Sequence, residues 1–321
     1  MKDAWGRTIE YVRLSLTDAC NFCCPYCRPA EITPQSQHQL LSVDEWMTIL
    51  GAFHQVGVKA VRLTGGEPLL YPHIEELLAR IKQTGWFEDI SMTTNGSLLA
   101  PRAAKLKELG LNRVNISLDS LDSDAFTLCV GKANQLDSVL NGIQSAIDAG
   151  FTSVKINTVL SRHWTDDEVH DLLTYVETWP VIWRFIEYMP FQGDAFHGPT
   201  FDEWKAQLER VSGGILTENH DVYGFGPATY YNLPSGKEIG FIFSMSHSYC
   251  DTCNRVRLTS DGQMRLCLLR DDEADLVSRV RRGLSETELA SHIEWALQRK
   301  QERHDGVTMD QPERPMWRIG G

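Results

Sequence analysis

The most reactive side chains of this 321-residue chain are concentrated near its beginning. Four of its eight cysteines lie between positions 20 and 27, directly after a strand-like run. Three of them, Cys20, Cys24 and Cys27, form a C-x3-C-x2-C run, here named the N-terminal cysteine group. Three thiolates on a tight loop can hold three irons of a [4Fe–4S] cluster and leave the fourth iron open. The spacing also allows a zinc site that uses Cys23, although the adjacent side chains of Cys23 and Cys24 fit it poorly.

A second set, the C-terminal cysteine group, has the spacing C-x2-C-x13-C and consists of Cys250, Cys253 and Cys267. It again predicts three thiolate ligands and an open iron. A structural zinc site completed by a residue such as His247 is the alternative. Clustered thiols in a chain without a secretion signal favour metal ligation over a disulfide scaffold. Cys129 belongs to neither group, and Cys23 has no assigned role.

Bulk composition restricts what the chain can bind. The formal net charge of −12 argues against non-specific nucleic-acid binding, which needs a basic surface. There is no run of about 18 apolar residues and no secretion signal at the start, so we expect a cytoplasmic protein without a membrane span. An anionic substrate would require a local cluster of arginine and lysine.

The elements that must position these cysteines alternate regularly up to residue 190. Six strand-like runs are separated by amphipathic stretches: YVRLSL (11–16), KAVRLT (59–64), DISMTT (89–94), NRVNISLD (112–119), SVKINTVL (153–160) and VIWRFIEY (181–188). Repeated βα units predict a parallel sheet, and six units rather than eight predict a partial (β/α)6 TIM-like barrel. The first helix, near 43–56, follows Ser42 with Glu45 three residues later, the pattern of a capping box.

Beyond residue 190 the pattern changes to turns, short strands and a hairpin at Asp261-Gly262, followed by a polar helical region over about 271–300. We therefore predict an α/β chain in two parts. Residues 1–190 form the barrel, and residues 191–321 form a C-terminal α+β extension. The extension carries the C-terminal cysteine group and ends in a Gly-Gly tail.

Polar residues lie on or just after the predicted strands, where the active sites of βα folds form. They are Arg13, Arg62, Thr93, Ser117, Lys155 and Arg184. The segment LTGGEPLL follows the second strand, and its two glycines allow backbone amides to approach a ligand closely. A tight βα turn is the simpler explanation of those glycines when they are taken alone.

In combination, these motifs resemble the radical S-adenosylmethionine (SAM) superfamily, through the first cysteine run with Tyr26 before its last cysteine and through GGEP. The segments SLTDACN, RLTGGEPLL, TTNG, NISLDSLD, VKIN, RFIEYMP and CNRVRLT, with the terminal Gly-Gly, are similar to the GTP 3′,8-cyclase family of molybdenum cofactor biosynthesis. The resemblance covers nearly the whole chain. Two positions depart from the family pattern: Arg28, where Met is frequent, and residues 161–164, which replace a more glycine-rich turn.

The resemblance implies roles for individual residues. The N-terminal cysteine group would hold the cluster that binds SAM, and the SAM contacts would be Tyr26, Gly66, Ser117 and Met189. The C-terminal cysteine group would hold an auxiliary [4Fe–4S] cluster whose open iron binds the guanine of GTP. The GTP-binding positions would be Arg13, Arg62, Thr93, Lys155, Arg255 and Arg257, with Arg184 as an addition. Gly320 and Gly321 would form a catalytic tail in the active site, unless this terminus is simply frayed.

The implied activity is that of a lyase, which cyclises GTP to (8S)-3′,8-cyclo-7,8-dihydroguanosine 5′-triphosphate in the first step of molybdopterin biosynthesis. A 5′-deoxyadenosyl radical would remove the ribose 3′ hydrogen, and the C3′ radical would attack C8 of guanine. The resemblance further implies a flavodoxin or ferredoxin as electron donor, a downstream cyclic pyranopterin monophosphate synthase, and a homodimer. The alternatives are another two-cluster radical SAM enzyme acting on a peptide or small molecule, and a non-enzymatic zinc-binding module.

Overall fold

Six parallel strands form the centre of the structure, a computed structural model that describes residues 1–28, 39–189, 198–221, 223–304 and 314–320. The strands are β1 Tyr11–Ser15, β2 Ala60–Thr64, β3 Asp89–Thr94, β4 Arg113–Ser117, β5 Ser153–Val159 and β6 Ile182–Ile186. Each pairs in parallel with the next along the chain. The predicted partial barrel of six parallel strands is therefore confirmed.

Helices connect these strands and cover the outer face of the sheet. They are α1 Val43–Gln55, α2 Ile74–Thr84, α3 Ala103–Glu108, α4 Ser123–Val130, α5 Leu136–Asp148 and α6 Asp166–Thr178. At the start of α1, the Ser42 hydroxyl accepts from the Glu45 N–H (3.2 Å) and the Glu45 carboxylate accepts from the Ser42 N–H (2.7 Å). This reciprocal pair is the predicted capping box. Helix α4 was not predicted from the sequence, although Asp122 caps it by accepting from the Ala125 N–H (2.8 Å).

The later part of the chain extends the same sheet at both edges. Its elements are α7 Phe201–Ser212, β7 Thr217–Asn219, β8 Thr229–Asn232, β9 Glu238–Ile242, β10 Arg255–Leu258, β11 Gln263–Arg265, β12 Glu273–Asp275, α8 Val277–Arg281 and α9 Glu286–Leu297. Strand β9 pairs in parallel with β6, and β10 pairs in parallel with β1. Strands β8 and β7 follow β9, and β11 and β12 follow β10, with antiparallel pairing. The described residues thus form one 12-stranded sheet.

The hairpin at Asp261-Gly262 is present between β10 and β11. The prediction of a helical region over about 271–300 is wrong at its start, because Glu273–Asp275 pairs with β11 as strand β12. A short polar run contains no periodicity that would distinguish an edge strand from a helix. The predicted division between residues 190 and 191 lies outside the described residues and stays a prediction.

The two faces of the central strands differ in polarity. On β1, Val12 and Leu14 are fully buried in the apolar core beneath the helices. Arg13, between them, faces the inside of the barrel and is in register with Arg62 of β2 and Arg257 of β10. The barrel interior is therefore a cationic site rather than a dry core. In the described residues, no helix is both long and apolar enough to cross a membrane.

Candidate active site

A cleft with an empty volume of about 1420 Å³ opens inside the barrel at the carboxyl ends of the strands. This volume includes the solvent-filled mouth of the cleft. The predicted site residues that line it are Arg13, Cys20, Cys24, Tyr26, Cys27, Arg62, Gly66, Thr93, Ser117, Arg184, Met189, Arg255 and Arg257. The fold thus brings most of the predicted residues to one place.

The glycines of GGEP allow two loops to approach each other closely. The Gly66 N–H donates to the Thr17 carbonyl (2.6 Å), and the Glu67 N–H donates to the Ala19 carbonyl (2.8 Å). A Cβ at Gly66 would overlap the Ala19 carbonyl oxygen. Because Ala19 directly precedes Cys20, Gly66 holds the backbone that leads into the N-terminal cysteine group.

The thiols of the N-terminal cysteine group lie in a largely desolvated loop. Burial raises their pKa values, that of Cys20 to about 11, that of Cys27 to about 12 and that of Cys24 well above its ordinary value. The sulfur of Cys20 also accepts weak hydrogen bonds from the Phe22 N–H (3.5 Å) and the Asn95 amide (3.9 Å). Hydrogen bonds to cluster sulfurs are one of the factors that set the potential of an iron–sulfur cluster.

Two buried carboxyl groups lie close to this loop. Glu67 accepts hydrogen bonds from the Thr94 hydroxyl (2.7 Å) and the Asn95 N–H (2.8 Å), and burial raises its pKa to about 7. Asp119 accepts from the Tyr26 hydroxyl (2.8 Å), and burial raises its pKa to about 6. Sequence reasoning did not single out Asp119, although it ends the half-polar run NRVNISLD. The predicted SAM contact Tyr26 is therefore held in place by a carboxylate.

Cys23, the thiol without an assigned role, lies between the cysteine loop and helix α4. The Cys23 N–H donates to the Val130 carbonyl (2.8 Å) at the end of α4, so Cys23 joins the cysteine loop to that helix. The Arg28 side chain is buried, and its guanidinium lies 3.9 Å from the Cys23 sulfur and 3.4 Å from the Cys20 carbonyl oxygen. Cys23 and Arg28 thus contact each other beside the ligand loop.

The C-terminal cysteine group lines an adjoining cavity, here named the auxiliary pocket, with an empty volume of about 510 Å³. It shares the lining residues Met189, Tyr249, Arg255, Arg257 and Leu268 with the cleft. Burial alone would raise the pKa of Cys250, but hydrogen bonds from His304 and Ser248 lower it to about 6. Burial would also raise the pKa of Cys253, but the positive charges of Lys300 and Arg255 lower it.

The first residues of the chain contact the segment after α9 beside the auxiliary pocket. Arg7 donates to the carbonyls of Cys250 (2.9 Å), Glu302 (2.6 Å) and Gln301 (2.7 Å). Trp5 donates from its indole nitrogen to the Lys300 carbonyl (2.8 Å). The first residues of the chain therefore fix both the cysteine loop and the segment after α9.

The donor set at each location consists of three thiols. A [4Fe–4S] cluster with one open iron takes three thiolates, each bound to a different iron. The cysteines that line the cleft and the auxiliary pocket match this requirement in type and number.

Buried arginines make the cleft cationic. Burial lowers the pKa of Arg13, Arg62, Arg184 and Arg257 to about 10, so each remains charged at neutral pH. Three of them donate to neutral oxygens: Arg62 to Ser91 Oγ (3.1 Å), Arg184 to Asn157 Oδ1 (2.6 and 2.9 Å) and Arg257 to the Gly320 carbonyl (2.7 Å). No carboxylate of the described residues forms an ion pair with those three. Buried cations arranged in this way suit a polyanionic ligand.

One of the predicted GTP-binding residues does not line the cleft. Lys155 is 1% exposed, and its Nζ donates to the Tyr223 carbonyl (2.9 Å) and the Tyr230 hydroxyl (3.2 Å) instead. Burial, followed by repulsion from Arg184, lowers the pKa of Lys155 to about 6. Its predicted role in GTP binding stays a prediction.

The predicted C-terminal tail enters the barrel at Gly320. This residue has a φ of +77°, and a Cβ there would lie 2.7 Å from Thr64 Oγ1 and 3.0 Å from Ser15 Cβ. Both the backbone conformation and the space therefore favour glycine. Gly321 lies outside the described residues.

Comparisons with known proteins identify the family. The model of the radical SAM superfamily matches residues 14–176, and that of Molybdenum Cofactor Synthesis C matches residues 181–306. The GTP 3′,8-cyclase of Moorella thermoacetica is 39% identical over all of both chains. This chain belongs to the GTP 3′,8-cyclase family. As a radical SAM protein, it uses SAM and a [4Fe–4S] cluster.

Other members of the comparison agree with this assignment. The GTP 3′,8-cyclase of Trichodesmium erythraeum is 42% identical over 98% of this chain and 99% of its own length. The mouse molybdenum cofactor biosynthesis protein 1 is 37% identical over all of this chain and 51% of its own length. Among solved structures, Streptococcus suis SuiB bound to S-adenosylmethionine has a TM-score of 0.60 over 88% of this chain and 68% of its own, at 16% identity. That last likeness concerns the fold alone.

Proposed function

We propose that this chain catalyses the SAM-dependent cyclisation of GTP to 3′,8-cyclo-7,8-dihydro-GTP. SAM would bind at the N-terminal cysteine group, and GTP would lie between the two groups. The observation that carries this proposal is the set of buried arginines with neutral partners in a cleft that adjoins both groups. A triphosphate supplies several negative charges to such a cleft, and guanidinium groups pair well with phosphate oxygens.

The arginines would fix the triphosphate from two sides of the barrel. Arg13 and Arg62 are paired neighbours on β1 and β2, and Arg257 is in register with Arg13 on the opposite side, on β10. Arg184 approaches from β6, where Asn157 orients its guanidinium. Fixing the phosphates in this way would orient the ribose and guanine between the two cysteine groups.

The cofactors supply the demanding chemistry. When bound, SAM and the N-terminal cluster would provide the 5′-deoxyadenosyl radical, and Cys250, Cys253 and Cys267 would hold an auxiliary cluster with an open iron for the guanine. The chain itself orients the two substrates and excludes water. Tyr26, held by Asp119, and Gly66 would position SAM, together with Ser117 and Met189. Gly320, and with it Gly321, would close the cleft above Arg257 with a segment that has no side chains.

The resemblance to the family extends the proposal to partners. A flavodoxin or ferredoxin would donate electrons, and a cyclic pyranopterin monophosphate synthase would consume the product. A cytoplasmic homodimer is the proposed assembly. A division of the chain near residue 190 into a barrel and an auxiliary-cluster region remains part of this proposal.

The test is an anaerobic assay of the reconstituted protein with SAM, GTP and dithionite. We expect 5′-deoxyadenosine and the cyclic nucleotide to form together, and about seven to eight irons per chain. ATP in place of GTP is the control for the base, since the proposal assigns the guanine to the auxiliary iron. Absence of GTP-dependent 5′-deoxyadenosine would contradict the proposed function, and zinc in place of iron would contradict the radical chemistry.

A further inference from the structure

Lys300 is a buried cation in the wall of the auxiliary pocket. Lys300 follows α9 in the chain, and the whole residue is only 4% exposed. The Nζ donates to the carbonyl of Leu266, the residue directly before Cys267. The ammonium group is therefore fixed beside one member of the C-terminal cysteine group and faces the pocket that all three members line.

The charge of Lys300 is not balanced by a carboxylate in the described part of the chain. The other charged groups that line the pocket among the described residues are Arg255 and Arg257, with His304 beside them, and these are basic as well. Burial of an ammonium group is costly unless an anion compensates for it, and one carbonyl compensates only in part. Among the described residues that line this pocket, the groups that can supply negative charge are the thiolates of the C-terminal cysteine group.

The backbone holds Lys300 rigidly in this position. Its N–H donates to the Leu297 carbonyl (3.0 Å) at the end of α9, and its carbonyl accepts from the Trp5 indole (2.8 Å). Arg7 fixes the next residue, Gln301, through its carbonyl (2.7 Å). With its backbone held on both sides and its Nζ bound to the Leu266 carbonyl, Lys300 keeps its charge beside the cysteines.

We propose that Lys300 is a positioning residue that raises the reduction potential of the auxiliary cluster. This inference rests on the proposed function, because it requires a cluster on the C-terminal cysteine group. Three thiolates and the cluster together carry a net negative charge, and that charge grows when a low-potential donor adds one electron. A fixed cation nearby stabilises the reduced form more than the oxidised form. No bond forms or breaks in this step.

The test is a redox titration of the reconstituted full chain, followed by electron paramagnetic resonance. We expect GTP to change the spectrum of the auxiliary cluster and SAM to change the spectrum of the N-terminal cluster. Each addition therefore identifies one of the two signals. In Lys300→Gln we expect the ratio of reduced to oxidised auxiliary cluster to fall roughly tenfold at a given solution potential. The N-terminal cluster serves as the internal reference, and its titration should not move.

Two further variants keep the inference falsifiable. Lys300→Arg preserves the charge and should titrate like the wild type. Arg299→Gln removes one charge from the exposed neighbouring side chain and should also leave the auxiliary potential unchanged. An unchanged auxiliary potential in Lys300→Gln, or loss of its auxiliary iron, would overturn the inference. Absence of a second cluster signal in the wild type would instead overturn the proposed function.

Discussion

The two cysteine groups have the same number of thiols but opposite surroundings. The N-terminal group is desolvated and lies near the carboxyl groups of Glu67 and Asp119, so that its thiols hold their protons strongly. The C-terminal group lies among basic residues, Lys300 and Arg255 beside Cys253 and His304 beside Cys250, which favour the thiolates. Two sets of three cysteines are thus placed in two different electrostatic environments.

In the proposed function, this difference in surroundings gives two similar clusters two different roles. Acidic and apolar surroundings disfavour the reduced form of a cluster, which makes it a strong electron donor once it is reduced. Basic surroundings favour anions, among them a nucleotide triphosphate. In the proposed function, SAM cleavage belongs to the first environment and substrate binding to the second.

The largest effect is expected when either of the two cysteine groups is disrupted by substitution. Cys24→Ala should lose the N-terminal cluster and all detectable formation of 5′-deoxyadenosine. Cys267→Ala should keep the N-terminal cluster and slow, GTP-independent SAM cleavage, while losing the cyclic product. Iron analysis measures the cluster content, and chromatography measures 5′-deoxyadenosine and the cyclic nucleotide. If the two variants behave alike, the division of tasks is wrong.

A smaller effect is expected for Arg257, which lies between the groups. Arg257→Ala removes charge-assisted hydrogen bonds to the triphosphate and should raise the Kd for GTP about 10- to 100-fold. Both clusters should remain, as shown by iron content. Arg281→Ala is the matched control, because Arg281 forms an ion pair with Glu45 (2.6 Å) on the surface. Loss of iron in Arg257→Ala would mark Arg257 as structural.

Substitution of the tail should have a more moderate effect. Gly320→Ala places a methyl group against Thr64 and strains a left-handed backbone, so we expect kcat to fall roughly tenfold with the iron content unchanged. Gly213→Ala is the control for strain alone: its φ is +75°, and no atom lies within 4 Å of the new Cβ. Equal activities of the two variants would argue against a tail that acts in the cleft.

The smallest effect concerns stability and tests the cationic interior between the groups. Lys155 has a pKa of about 6 in the folded chain, whereas the unfolded value is about 10.4. Between these two pH values the unfolded chain binds more protons, so the Lys155 contribution to the free energy of unfolding rises with pH. Lys155→Met should remove this rise, and the exposed Lys105→Met should retain it. Denaturant unfolding of the wild type and both variants at pH 6 and pH 9 measures the difference, and parallel curves for all three would contradict it.

Much of this architecture could be predicted from local sequence. The six central strands follow from their β-branched runs, and α1 follows from Ser42 and Glu45, because period and capping are local signals. The pairing of β10 with β1 could not be predicted, since it joins Tyr11 to Arg255 and no pattern in either strand specifies its distant neighbour.

The site shows the same limit. The cysteines, the arginines and GGEP could be identified from types and spacing together with the family resemblance. Asp119 and Lys300 could not, because their importance comes from burial beside residues that are distant in the sequence. The sequence placed Lys155 on a polar strand face correctly, but the tyrosines that accept hydrogen bonds from its Nζ come from the chain around β8.

The pairing of β1 with β10 also has a consequence during synthesis. Strand β1 leaves the ribosome first, and its outer edge has no partner until more than two hundred further residues have been translated. An unpaired edge of this kind is prone to association with other chains. The nascent chain would therefore benefit from protection by a chaperone at that edge. The auxiliary pocket can likewise form only late, after Lys300 and His304, which line it, have been translated.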